Sequence, residues 1–134
     1  MPSDKTMLTF QVSVPLHSLA LASLRLRTGV TPKKNAISLI IADRLAEGAR
    51  PITDTSAEDL RDYLVVASAD AIMPIKIKVD EKTRLLLARQ KEIISNHLGQ
   101  EITDSQALMV LLADFAIEQA AMSLVNAKEM KRSI

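Results

Sequence analysis

Cysteine and tryptophan are absent from these 134 residues, and glycine, histidine and aromatic residues are scarce. Without cysteine there is no disulfide framework, thiolate zinc site, iron–sulfur cluster or cysteine nucleophile, and a reducing, intracellular setting fits. Two phenylalanines and one tyrosine are too few for the stacking platforms that hold single-stranded nucleic acids. His17 and His97 stand far apart, with no H-x-x-x-H or H-x-x-E-H neighbourhood, so both read as polar residues on helix faces rather than zinc ligands. Gly29, Gly48 and Gly99 are isolated, and each follows a helical pattern. That suits helix-ending residues in left-handed geometry, not a phosphate-cradling loop. Carboxylates such as Glu58 and Asp59 fall in the first turn of an expected helix, where the backbone dipole accounts for them. No convergent catalytic set is left, so neither enzyme activity nor a cofactor or metal is expected.

Long apolar runs are missing too. The longest, Ala107 to Ala113, is far below the roughly 18 to 20 residues of a membrane span. The start, Met1-Pro2-Ser3-Asp4-Lys5, lacks the order of a secretory signal, and a cytoplasmic protein is expected. With 48% hydrophobic and 25% charged residues the chain has the composition of one folded domain. The net charge of +1 says little, but its distribution is uneven: Ala49 to Ala71 carries a net −3.

The sequence repeats itself. Thr9-Phe10-Gln11-Val12-Ser13-Val14 alternates polar and apolar residues with the period of a half-buried strand, and Ile75-Lys76-Ile77-Lys78-Val79 does the same 65 positions later. Phe10, Val12 and Val14 thus answer to Ile75, Ile77 and Val79 on an apolar face, and Gln11 and Ser13 to Lys76 and Lys78 on a polar one. A helix from Leu16 to Thr28 follows the first strand. Thr31-Pro32 then caps a second helix with Ala36, Ile37, Ile40, Ile41 and Leu45 on its apolar side. In the second copy Glu81 to Leu98 is helical, Thr103 is the next cap with Gln106 in a capping-box position, and Leu108, Leu111, Leu112 and Phe115 mark a long last helix. The organisation is therefore a first repeat at 1–48, an acidic, partly helical connector at 49–73, and a second repeat at 74–134. Ser56 would cap the connector helix, with Leu60 and Leu64 on one side.

Strand, helix, turn, helix, given twice over Thr9 to Gly48 and Pro74 to Met122, resembles the ribbon-helix-helix family of DNA-binding proteins. The resemblance implies a mainly α fold with a short two-stranded antiparallel ribbon, built here as a tandem pseudo-dimer within one chain. It implies double-stranded DNA as the partner, with Thr9, Gln11, Ser13, Lys76 and Lys78 turned to base edges. Phosphates would lie at the start of each second helix, at Thr31, Lys33 and Lys34 and at Thr103 and Ser105, with Glu101 and Asp104 opposing the second contact. Tandem chains of this kind resemble accessory proteins of plasmid conjugation and T-DNA transfer; a transcriptional regulator uses the same fold. Because Gln11 and Ser13 differ from Lys76 and Lys78, a non-palindromic target is expected. The alternative is a helical protein-interaction module whose ribbon is purely structural. Apolar residues on more than one side of the first helix (Leu16, Leu19, Leu21, Leu24, Leu26) and on a second side of the last (Met109, Ala113, Ile117, Ala120) call for a cover. Either the connector helix supplies it through Leu60, Tyr63 and Leu64, or chains associate.

Overall fold

In a computed structural model that describes residues 6–28, 36–68 and 71–132, the two alternating segments pair with one another. β1 (Thr6–Ser13) leads into α1 (Val14–Thr28); α2 (Ala36–Leu45), a short 3₁₀ turn (Ile52–Asp54) and α3 (Ala57–Ser68) follow; β2 (Ile72–Val79) then leads into α4 (Glu81–Leu98) and α5 (Asp104–Arg132). The described fold is thus mainly helical, five α-helices with one two-stranded antiparallel sheet, as the alternation and the helical spacing predict. Gly29 and the Thr31-Pro32 cap lie outside the described residues.

Local chemistry sets where the elements begin. Ser13 ends β1 because its side-chain oxygen accepts a hydrogen bond from Leu16 N–H at 3.4 Å, in the position of a helix cap. Pro15 then sits in the first helical turn, where its missing N–H has no intrahelical partner to lose. Val14 accordingly belongs to α1 and is 40% exposed, not on the apolar face of the strand as its alternation suggests. β2 runs further, to a buried Val79, because its cap is Asp80, whose carboxylate accepts from Thr83 N–H at 2.7 Å. The copies therefore match through the middle of each strand and diverge at its end. Ser56 Oγ accepts from Asp59 N–H at 3.1 Å and opens α3. Gly99 closes α4 at φ 71°, a left-handed conformation that costs a residue with a Cβ, and its N–H donates to Ser95 O at 2.9 Å.

The register pairs Phe10 with Ile75, Val12 with Met73 and Leu8 with Ile77. Phe10, Val12, Ile75, Ile77 and Val79 form the buried underside of the ribbon, resting on a core with Ala20 and Leu24 of α1, Ile37, Ile40 and Ile41 of α2, and Leu108, Leu112 and Phe115 of α5. α5 packs on β1 and α1, and α2 packs on β2 and α4. Every residue from Ala107 to Ala116 is buried, which explains the longest apolar run: this stretch is enclosed on all sides. The enclosing element on its far side is the connector. Leu60 and Leu64 of α3 and Ile52 of the 3₁₀ turn form a second core with Ile94 and Leu98 of α4 and Val110 and Leu111 of α5. α3 is fixed further by Arg61, whose guanidinium donates to Leu98 O, a helix-end carbonyl without an intrahelical partner, at 2.6 Å. Met109 and Ala113 are covered by the first core, whereas Leu19, Leu26 and Ile117 remain 52%, 65% and 46% exposed.

Candidate nucleic-acid interface

The side of the ribbon opposite the core carries Met7 beside Lys78, Thr9 beside Lys76 and Gln11 beside Pro74, with Ile72 at its end. All seven are exposed. Four of the five residues expected to face bases, Thr9, Gln11, Lys76 and Lys78, are therefore brought onto one surface. Ser13 is not among them: it is 1% exposed, and its oxygen is occupied by the α1 cap described above. Met7, Pro74 and Ile72 join the face without having been expected there. Period-two alternation extended three residues upstream of Phe10 and Ile75 assigns Met7 and Ile72 to it.

Pro74 in mid-strand needs a physical account, since proline cannot donate to a ladder. Its partner Gln11 turns its own N–H away from β2, to Ser105 Oγ at 2.9 Å, so Gln11 and Pro74 form a pair without mutual hydrogen bonds. Val14 N–H, which donates to Ala71 O at 2.8 Å, lies at the alternate, bonded phase of the same ladder. The missing N–H of Pro74 thus falls where no cross-strand bond is due.

The bond from Gln11 to Ser105 also ties the edge of β1 to the first turn of α5. Thr103 caps that helix: Gln106 N–H donates to Thr103 Oγ1 at 3.1 Å, and Thr103 N–H donates to Gln106 Oε1 at 2.8 Å, the reciprocal capping box expected from their spacing. As acceptors both hydroxyls, those of Thr103 and Ser105, are engaged, and each keeps a proton to donate. Among the opposing acids, Asp104 is 75% exposed and is paired with Lys91 at 3.2 Å. A hollow of about 200 Å³ beside it is lined by Thr9 and Phe10 of β1, Arg84 of α4 and Leu108 of α5. Arg84 is held by Glu81 through a hydrogen bond of 3.1 Å, which raises the arginine pKa and lowers that of the carboxyl. Thr31, Lys33 and Lys34, expected at the start of the other second helix, lie outside the described residues.

One polar cluster escaped the sequence reading. Asp114, 3% exposed, accepts two hydrogen bonds of 2.8 Å from Arg50, one of 2.8 Å from Thr55 Oγ1 and one of 3.3 Å from Arg44. Arg44 also reaches Glu118 at 2.6 Å and Asp43 at 2.9 Å, and its guanidinium lies 5.3 Å from the centroid of the Phe115 ring. Burial disfavours the Arg44 charge, but the hydrogen bonds and charges of Glu118 and Asp43 outweigh it and leave the pKa above its ordinary value. His97 Nε2 lies 2.9 Å from Thr55 O, so α4 holds the same loop from its other side. A visible signal existed in Asp114 itself, a charge set between Ala113 and Phe115 in the most apolar stretch of the chain.

Among the described residues there is no group of three or more histidine, aspartate or glutamate side chains able to hold a metal ion, and no helix long and apolar enough to cross a membrane. No protein-family model, curated protein or solved structure matches this chain.

Proposed function

We propose that this protein binds double-stranded DNA by inserting the exposed face of its ribbon into the major groove, as a tandem ribbon-helix-helix pseudo-dimer. The observation that carries the reading is the ribbon itself: Thr9, Gln11, Lys76 and Lys78 stand together on the solvent side of two strands whose other side is the core. Two strands are narrow enough for a groove about 12 Å wide, and these side chains offer the donors and acceptors that base edges require. Internal correspondence supports the pseudo-dimer. The repeat offset of 65 equates Phe10 with Ile75, and these two face each other in the ladder, as equivalent residues do on a two-fold axis. In the second helices an offset of 72, that of Thr31 and Thr103, equates Ile37, Ile40 and Ile41 with Met109, Leu112 and Ala113, and all six lie in the ribbon core. The crossed packing of α5 on β1 and α2 on β2 is the exchange such a pairing needs. Accessory action in plasmid or T-DNA transfer, or transcriptional regulation, follows as the biological setting of such binding.

The exposed Leu19, Leu26, Leu39 and Ile117 favour a second reading, protein association through helix surfaces with a passive ribbon. A gel shift separates the two. Duplex binding that resists competitor DNA and weakens as salt rises supports the first. Absence of duplex binding even at low salt refutes it.

A further inference from the structure

The strand register decides which exposed side chains share an end of the ribbon. Phe10 and Ile75 mark its middle on the buried side. To one side of them the outward pairs are Thr9 with Lys76 and then Met7 with Lys78; to the other they are Gln11 with Pro74 and then Ile72, whose partner Ser13 is turned into the protein. Both lysines fall at one end and the only side-chain amide at the other. In a symmetric ribbon each end would carry the same set.

Resting on the reading of this face as the DNA-binding surface, we infer that the protein recognises a target with two chemically unlike arms, guanine under the Lys76 and Lys78 end and A·T pairs under the Gln11 end. Lysine has donors and no acceptor, and guanine presents two acceptors, O6 and N7, in the major groove. Glutamine has both, and adenine presents an acceptor at N7 beside a donor at N6. Pro74 and Ile72, exposed next to Gln11, have no hydrogen bond to offer a base edge and suit the methyl group of thymine. Successive outward residues on a strand stand roughly 6.8 Å apart, about two base-pair steps, so the face from Met7 to Ile72 covers roughly six base pairs. The two arms fix the direction in which the protein sits on its site. That is the use of joining two different ribbon halves in one chain.

The test uses the full-length protein, its Lys76→Ala and Gln11→Ala variants, and selection of bound duplexes from a random pool, followed by guanine N7 methylation interference on the selected site. Both substituted residues are exposed, and circular dichroism of the variants checks that the fold is kept. The expected wild-type product is one non-palindromic motif with guanine in one arm and A·T in the other. Lys76→Ala relaxes the guanine arm alone and Gln11→Ala the A·T arm alone, each by about 5- to 150-fold in base discrimination. Methylation interferes in one arm. A palindromic motif, relaxation of the same arm by both substitutions, or a uniform loss of affinity from Lys76→Ala without any change of preference overturns the arm assignment while leaving DNA binding intact. Failure of the wild-type protein to retain any duplex at low salt overturns the underlying reading, and the assignment with it.

Discussion

Replacing Asp114 by asparagine changes almost no volume and removes one negative charge from the most heavily bonded polar site described in the molecule. Its carboxylate lies within 2.8 Å of both Arg50 and Thr55 Oγ1 and within 3.3 Å of Arg44. Removing one member of a buried ion pair costs roughly 3 to 5 kcal/mol, because the partner is left charged and poorly solvated. Two features of this site reduce that. Arg50 is 36% exposed and can turn to water, and Arg44 keeps Glu118 at 2.6 Å and Asp43 at 2.9 Å. The expected cost of Asp114→Asn is therefore about 2 to 3 kcal/mol, and Asp114→Ala adds about 1 kcal/mol for the lost bond from Thr55. At roughly 2.1 cal/mol/K per residue, unfolding this chain has an entropy near 0.28 kcal/mol/K, so asparagine should lower the melting temperature by about 7 to 11 °C. Thermal and urea melts followed by circular dichroism measure this, with the exposed Asp62→Asn as control. In a cycle with Arg50→Met the two losses should be less than additive by about 1 kcal/mol or more. An Asp114→Asn protein within about 0.5 kcal/mol of wild type would show that the cluster adds no stability and refute this account of how the connector is held.

Ser105→Ala removes the acceptor for Gln11 N–H and should cost about 0.5 to 1.5 kcal/mol, read as a lower urea midpoint with an unchanged m-value. Phe115→Ala empties the centre of the ribbon core, where the ring is 0% exposed, and should cost about 3 to 5 kcal/mol in the same melts. Tyr63 gives a pH dependence: burial first, then the charges of Asp114 and Asp59, raise its phenol pKa. A group whose pKa is raised by folding contributes fully below its unfolded value, about 10, and loses that contribution as pH climbs through the folded value. The melting temperature should therefore fall more steeply above about pH 10 in wild type than in Tyr63→Phe, and identical alkaline limbs would count against it.

Period and punctuation made much of this architecture readable in advance, and their failures have two causes. Alternation in Thr9 to Val12 and Ile75 to Val79 assigned the buried side of both strands, because in a two-layer packing the pleat leaves each residue one of two environments. The same rule misplaced Ser13 and Val14, where a side-chain cap competes with the ladder and wins. Capping chemistry marked Ser56, Thr103 and Gly99 because each acts within four residues of itself. The bonds from Gln11 to Ser105 and from Arg44 to Asp114 span 94 and 70 positions, and nothing in local spacing encodes a partner so distant.

That last bond also shows where the two repeats stop being alike. With the second helices aligned by Thr31 and Thr103, Arg44 corresponds to Ala116 and Asp114 to Ala42. On the pseudo-dimer reading, a charged pair between α2 and α5 on one side of the axis has a pair of alanines as its counterpart on the other. Two first repeats brought together would set Arg44 against Ala42, and two second repeats would set Asp114 against Ala116, a buried carboxylate that has lost one of its two arginine partners. The pairing of one first repeat with one second repeat is the one that brings Arg44 to Asp114. On that reading a penalty on like pairings, more than the strength of the ion pair, is what a charge inside an otherwise apolar helix contributes. Analytical ultracentrifugation of wild type and an Arg44→Ala/Asp114→Ala double variant checks it: exchanged dimers should accumulate in the variant, and equal monomer content in both proteins at matched concentration would refute the argument.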